Sequence, residues 1–252
     1  MEKSLALALY TLRDEFAADS QKTLRAVKEI GYSAVEFAGL GQWKAEDVRA
    51  QLDHSGLRGL SAHVPLQRLR DDLSAVIREM KTLDIHYVVC PWLPPEQRNL
   101  EFYRALAPIL ETTGKACAAE GLTLCYHNHD FELEKLFGDL NVLEFFAQEV
   151  SAEHLKFELD VYWVAFAGLN PNTVIERFAG RLPIVHLKDM TKDAARTFAS
   201  VGSGSLDMPS ILETSERIGA AWSIVEQDSC PGDPLESVRA SFRYLQGQGF
   251  TR

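Results

Sequence analysis

The stretch Leu122-Thr123-Leu124-Cys125-Tyr126-His127-Asn128-His129-Asp130-Phe131-Glu132 changes character halfway along. Residues 122–126 form a short apolar run, introduced by Gly121 and of the length of a buried strand. Two histidines and two carboxylates follow at once. A strand cannot bury that many polar side chains without partners, so the polar part is expected at or beyond the strand's end. Side chains alternate along a strand, which places His127 and His129 on one side of it. Two imidazoles there suit a metal, a proton transfer or a sugar hydroxyl, and equally a pair of hydrogen-bonded surface histidines. The segment by itself leaves these readings open.

The same layout recurs on both sides of it. Short apolar runs at 5–10, 34–37, 59–64, 86–90, 122–126, 155–160, 184–188 and 222–226 alternate with helical patterns. The helical patterns fall near 22–30, 45–54, 66–83, 99–120, 140–150, 173–178, 209–218 and 235–245, several of them stopped by a glycine such as Gly31 or Gly56. Strictly alternating strands and helices imply parallel strands with the helices outside. Eight such units in 252 residues, with no linker or low-complexity tract, predict an α/β fold: a (β/α)8 TIM barrel forming one domain over 1–252. The alternative is an open, doubly wound sheet. A nucleotide-binding sheet of that kind wants a glycine-rich turn after its first strand. Here that strand runs into Tyr10-Thr11-Leu12-Arg13-Asp14, without a glycine, and the barrel is preferred.

Composition narrows the function. A hydrophobic share of 46% with 25% charged residues is that of a globular chain with a large core. The net charge of -10 argues against a nucleic-acid or anionic-membrane partner. No apolar span is long enough for a membrane helix, and Met1-Glu2-Lys3-Ser4 lacks the layout of a signal peptide, so a soluble cytoplasmic protein is expected. Cys90, Cys117, Cys125 and Cys230 show no metal-finger spacing; Cys90 and Cys125 lie in apolar runs, as reduced core cysteines do.

In a barrel, chemistry gathers where the C-terminal ends of the strands converge. Those ends carry Tyr10, Glu36, His63, Trp92, His127 with His129, Asp160, His186 with Lys188, and Glu226 with Asp228. Four of the seven histidines fall there, whereas His86 and His154 fall at strand starts and His54 in a helix; those three are expected to be structural. Any one of these ends reads equally well as a solvated loop residue; it is their coincidence that points to a site. His127, Asp160, His186 and Glu226 make a plausible metal set. Two imidazoles with two carboxylates suit Mn, Co, Fe or Zn as divalent ions, and Mg or Ca less well. Asp160 also reads as a helix N-cap and Glu226 as a solvent-facing end residue. The site reading is preferred because carboxylates clustered at one mouth repel each other without a cation.

With those residues in place, the chain resembles the sugar phosphate isomerase/epimerase superfamily, the xylose isomerase-like TIM barrels. The likeness is carried by residues 121–132, by Leu159-Asp160-Val161-Tyr162-Trp163, Val185-His186-Leu187-Lys188-Asp189 and Val225-Glu226-Gln227-Asp228, and by the glycine-bearing Val201-Gly202-Ser203-Gly204-Ser205-Leu206-Asp207. Val35-Glu36-Phe37 and Ser61-Ala62-His63 are weaker matches. The resemblance implies a divalent metal held at the ends of strands five to eight, usually by Glu, Asp, His and Glu. The last three fall on Asp160, His186 and Glu226, while His127 stands where the first Glu is usual. Ser203 likewise stands where many relatives carry Glu.

The expected function is therefore a metal-dependent isomerase or epimerase acting on a small keto- or aldo-sugar or polyol through an enediolate. Glu226 is the candidate base with His129 or Lys188 as its proton partner, and Glu36, His63 and Trp92 are expected to line the sugar pocket. Because His127 breaks the symmetric pair of glutamates, a dehydratase or lyase using the same enolate on an inosose or keto-sugar is the nearest alternative. A non-catalytic sugar-binding barrel is a further one. A phosphodiesterase would want a richer metal set and a basic face, against the charge of -10. For phosphate, Arg13, Lys188 and Arg196 are the loop cations to consider. A homo-oligomer is possible, with no residue pattern to define it.

Overall fold

The computed structural model describes residues 5–250; Met1-Glu2-Lys3-Ser4, on which the absence of a leader was read, lie outside the described residues. Eight parallel strands close into a barrel: β1 (Leu5–Ala8), β2 (Ala34–Phe37), β3 (Arg58–His63), β4 (Tyr87–Cys90), β5 (Thr123–His127), β6 (Lys156–Asp160), β7 (Ile184–Leu187) and β8 (Trp222–Val225). Each strand pairs with the next along the chain, and β8 returns to β1 with Leu5 opposite Ser223 and Leu7 opposite Val225. All eight expected strands are present in the expected order. They are short and, apart from residues at some of their ends, buried, because helices cover their outer faces and the barrel interior covers the inner one. Among the described residues no helix is long and apolar enough to cross a membrane.

The main apolar core fills the layer between strands and helices, with Leu7, Val35, Phe37, Val88, Leu124, Phe157, Leu159, Val185 and Leu187 facing Leu24, Val27, Leu52, Leu106, Phe146 and Leu245 from the helices. A second, small cluster plugs the interior at the N-terminal end of the strands: Ala6, Ala8, Ala34, Leu60, Ile184 and Ile224, with Tyr87 and Trp222 packed against it. His86, at the start of β4, contacts Thr123 Oγ1 at 3.3 Å, and His154 pairs with Glu111; both are far from the strands' C-terminal ends in sequence, as expected.

Three local departures from the sequence reading have identifiable causes. The helix expected over 66–83 is two helices, Leu66–Asp71 and Leu73–Leu83, hinged at Asp72 with φ -144° and ψ 37°. The Asp72 N–H completes the first helix through Arg68 O, and its carbonyl opens the second by accepting from the amides of Ala75 and Val76. Aspartate is comfortable at such a boundary and poor within a helix. After β6 an additional short helix, Val161–Phe166, precedes the expected one at Pro171–Arg177, because Asp160 caps it with Oδ1 on the amides of Tyr162 and Trp163. The helix expected from residue 140 starts at Val142. Leu140–Asn141 instead pairs with Lys135–Phe137 in a two-stranded ribbon, and Asn141 forms a capping box with Glu144.

Candidate active site

Inside the barrel, polarity changes within one two-residue step toward the C-terminal ends. Ile184 of the apolar plug is followed by His186 and Lys188, Ile224 by Glu226 and Asp228, and Ala34 by Glu36. Cys125 of β5 leads to His127 and His129, and on β6 Glu158 leads to Asp160. Two-residue spacing keeps these side chains on the inner face, so each step raises the next group one layer toward the mouth.

The deeper layer is built on Glu36 and Glu158, both fully buried. Glu158 Oε1 lies 2.9 Å from His63 Nε2, 2.9 Å from His127 Nδ1 and 3.1 Å from His186 Nε2. Glu36 Oε2 accepts the Ser61 hydroxyl at 2.7 Å, and its Oε1 is 3.2 Å from His63 Nε2 and 3.0 Å from His186 Nε2. Burial works against the Glu158 carboxylate, but His186, His127 and His63 outweigh it and hold it well below the usual range. Burial and the charge of Glu158 push Glu36 up. His186 is held well above an ordinary histidine by Glu158 and Glu36 despite burial.

The outer layer is built on Lys188, whose side chain is enclosed. Its Nζ lies 2.9 Å from Asp160 Oδ2, 2.8 Å from Glu226 Oε2 and 2.7 Å from Asp228 Oδ1. Burial alone would lower the lysine; Asp160, Glu226 and Asp228 reverse that and keep it charged. In return Lys188, aided by His186, holds Glu226 well below the usual range although burial opposes it. Asp228 goes the other way, to about 6, because burial and Glu226 outweigh the lysine. Two histidines join the layers. His186 turns Nε2 to Glu36 and Glu158 and Nδ1 to Glu226 Oε2 at 3.1 Å. His127 turns Nδ1 to Glu158 and Nε2 to Asp160 Oδ2 at 3.9 Å.

Above both layers opens a cavity of about 620 Å³. Of the sequence-predicted site residues, His63, Trp92, His127, His129, Lys188 and Glu226 line it; Glu36, Asp160 and His186 stand beneath its floor. Asp160, His186 and Glu226 come together, and His127 lies next to them through Asp160. His129 stacks on Phe131 at 5.6 Å and packs against Trp163 at 5.2 Å, and its buried Nδ1 has no hydrogen-bond partner among the described residues. Burial and His127 hold it well below an ordinary histidine, so it is neutral. Glu132 fixes its backbone: Oε2 accepts the His129 amide at 2.7 Å while Oε1 accepts the Tyr126 hydroxyl at 3.0 Å.

Sequence reasoning missed Glu158 and Arg98. Glu158 was available, since it lies two residues before Asp160 and therefore on the same face of β6, yet a glutamate inside an apolar run carries no mark of its partners. Arg98 sits in the loop after β4, and nothing in its neighbourhood of sequence aims it at the cavity it lines.

The xylose isomerase-like TIM barrel family matches this chain over residues 24–248, and the chain belongs to that family. It is 24% identical to an inosose dehydratase of Geobacillus kaustophilus, over 93% of this chain and 88% of that protein. It is 25% identical to an inosose dehydratase of Clostridium beijerinckii, where the match covers 59% of this chain and 55% of the relative, about half its length. Among solved structures, a sugar phosphate isomerase/epimerase of Parabacteroides distasonis superposes with a TM-score of 0.86 over 99% of this chain and 100% of that one, at 20% identity, which shows the shared fold.

Two groups of side chains are arranged so that they could hold a metal ion: His63, His127, Glu158 and His186, and Asp160, His186 and Glu226. In the second, the ammonium of Lys188 already bridges the two carboxylates. In the first, Glu158 Oε2 and His186 Nε2, with Glu36 Oε1 beside them, are buried without an aligned hydrogen bond among the described residues. If His186 gives its Nδ1 proton to Glu226, its Nε2 lone pair faces two carboxylates. That contact is repulsive unless the ring is doubly protonated or a cation lies between. Three imidazoles and a carboxylate fit a borderline divalent ion such as Zn, Co, Mn or Fe.

Proposed function

We propose that this protein is an enzyme that deprotonates the carbon beside a ketone in a small keto-sugar or keto-polyol and expels a hydroxyl group from the next carbon as water. The observation that carries the reading is His129: a neutral, half-buried imidazole whose buried Nδ1 has no hydrogen-bond partner among the described residues, in one cavity with the Lys188 ammonium and with Asp228. His129 takes the proton, and the electrons of the broken C–H bond move toward the ketone oxygen to form the enolate. As the carbonyl re-forms, the carbon–carbon double bond shifts toward the neighbouring carbon and its C–O bond breaks. Asp228, at about 6, supplies the proton that lets the hydroxide leave as water. Glu226, the base expected from sequence, is instead bound to Lys188 and His186, which keep it ionised and weakly basic, and its role here is to hold the lysine.

His63, His127, Glu158 and His186 would hold a divalent ion; His127 and His186 also belong to the set expected from sequence. When bound, such an ion supplies Lewis-acid polarisation of the ketone. Trp92, 46% exposed at the rim, offers a flat apolar face to a sugar ring. The similarity to inosose dehydratases over most of the chain supports loss of water as the outcome.

Isomerisation or epimerisation is the second reading, favoured by Asp228, which at about 6 can return the proton to carbon as well as give one to oxygen. Incubating a panel of keto-sugars and inososes with the metal-loaded enzyme in D₂O separates the two. The dehydration reading expects an unsaturated or diketo product one water lighter; deuterium in a rearranged sugar of unchanged formula replaces it with the isomerase reading. Turnover of no ketone in the panel, with no solvent deuterium entering any of them, refutes both.

A further inference from the structure

The cations considered for phosphate are all engaged. Arg13 donates to the carbonyls of Tyr10 and Asp228, Arg196 donates to Ala165 O, and Lys188 is surrounded by three carboxylates. Arg98 differs. Its Nε donates to Leu93 O at 2.8 Å, and its guanidinium lies 3.6 Å above the Phe131 ring and 5.0 Å from the Trp92 ring. No hydrogen bond or ion pair is made by its terminal nitrogens among the described residues; Asp130, also in the cavity wall, is not paired with it. Arg98 follows β4, which lies across the barrel from β8, the strand that carries Glu226 and Asp228. The mouth is therefore polarised: Glu226 and Asp228 stand on one side, and on the other stands the Arg98 guanidinium, whose terminal nitrogens bind no carboxylate among the described residues.

We propose that Arg98 binds an anionic substituent of the substrate, a carboxylate or a phosphate, at the end remote from the reacting ketone. The rings of Phe131 and Trp92 hold the guanidinium in place, and the bond to Leu93 O uses only Nε. Its outer edge is left to present parallel N–H donors to two oxygens of one anion. A neutral sugar would leave those donors to water. The substrate class is then a keto-sugar acid or keto-sugar phosphate, which rests on the enolate reading of the same cavity.

The test is equilibrium binding, so that it does not depend on turnover. Calorimetric titration of the full chain with D-glucuronate, D-glucose 6-phosphate, inorganic phosphate and D-glucose, at low ionic strength, should show at least one anionic sugar binding about tenfold tighter than glucose. The tighter of the two sugars says whether carboxylate or phosphate is preferred. Arg98→Gln should bring the ratio of anionic to neutral affinity close to one, and Arg98→Lys, which keeps the charge without the fork, should retain part of it. Equal affinity of the unaltered protein for glucose and both anions overturns the proposal, as does a preference that survives Arg98→Gln. Failure of the enolate reading would appear in the D₂O experiment and leave these ratios as they are.

Discussion

The two ends of one barrel interior show opposite solutions to the same geometric problem. At the N-terminal end the strands fill the centre with Ala6, Ala8, Ala34, Leu60, Ile184 and Ile224, small and branched side chains that need no partners. Toward the mouth, β2, β5, β6, β7 and the end of β8 bring Glu36, His127, Glu158, His186 and Glu226 inward, nearly all without access to water. The apolar end can tolerate a poor fit at a modest cost, because each lost contact is a local loss. The ionisable end cannot, because every group there is kept in its charge state by another, and removing one strands its neighbours. Stability and chemistry should thus come apart along the barrel axis.

The largest effect that tests this division is expected at Lys188. Lys188→Met leaves Asp160, Glu226 and Asp228 facing one another without their ammonium. The loss should be about 3–5 kcal/mol of folding stability together with nearly all activity, read by denaturant unfolding and by rate. A variant with unchanged stability would mean that the three carboxylates are compensated in another way. His129→Asn comes next and should affect chemistry alone. Among the described residues its Nδ1 has no hydrogen-bond partner, so Tm should move little while kcat falls about 10²–10⁴-fold. At the opposite end, Ile184→Ala should cost about 2–4 kcal/mol in stability and leave kcat of the folded fraction close to that of the parent. If Ile184→Ala lowered kcat as much as His129→Asn did, the two ends would not be separable.

The barrel was legible because short apolar runs and helical patterns alternate eight times, several of the helices stopped by a glycine, and a closed parallel barrel is the arrangement that satisfies them together. The mouth was legible for a related reason: polar groups at the end of an apolar run have to lie where a strand leaves the core. What the sequence could not convey is depth. Glu36 and Trp92 both end strands, yet one lies under the cavity floor and the other stands at the rim, 46% exposed. Strand stagger around the barrel, including the register shift between Val35 and Glu36, sets that difference, and it involves residues far apart in the chain. Asp160 is the helix cap that the sequence also allowed, through Oδ1, while its Oδ2 faces Lys188. Lys188 was legible as a strand-end cation, but its compensation by three carboxylates comes from β6 and β8 and has no local signal.

The smallest effect is expected at Glu132, in the loop beyond β5. It is fully buried but belongs to neither layer, and it binds the amide of His129 rather than any charged group. Burial pushes its carboxyl up to about 8, against the hydrogen bonds from His129 and Tyr126. In the unfolded chain a glutamate releases its proton near pH 4–5. Between about pH 5 and 8 the native state therefore holds a proton that the unfolded state has lost, and stability declines as pH rises through that window. The slope has an upper limit of about 1.4 kcal/mol per pH unit for one proton, and it vanishes once both states are ionised above pH 8. Glu132→Gln keeps an oxygen to accept the His129 amide and an NH2 that can donate to the Tyr126 hydroxyl oxygen, without the titration, so its stability profile should be flatter over the same window, as denaturant unfolding at several pH values would show. An unchanged slope would assign the pH dependence to the charged layers instead, and Glu132 would then be held ionised by its two donors.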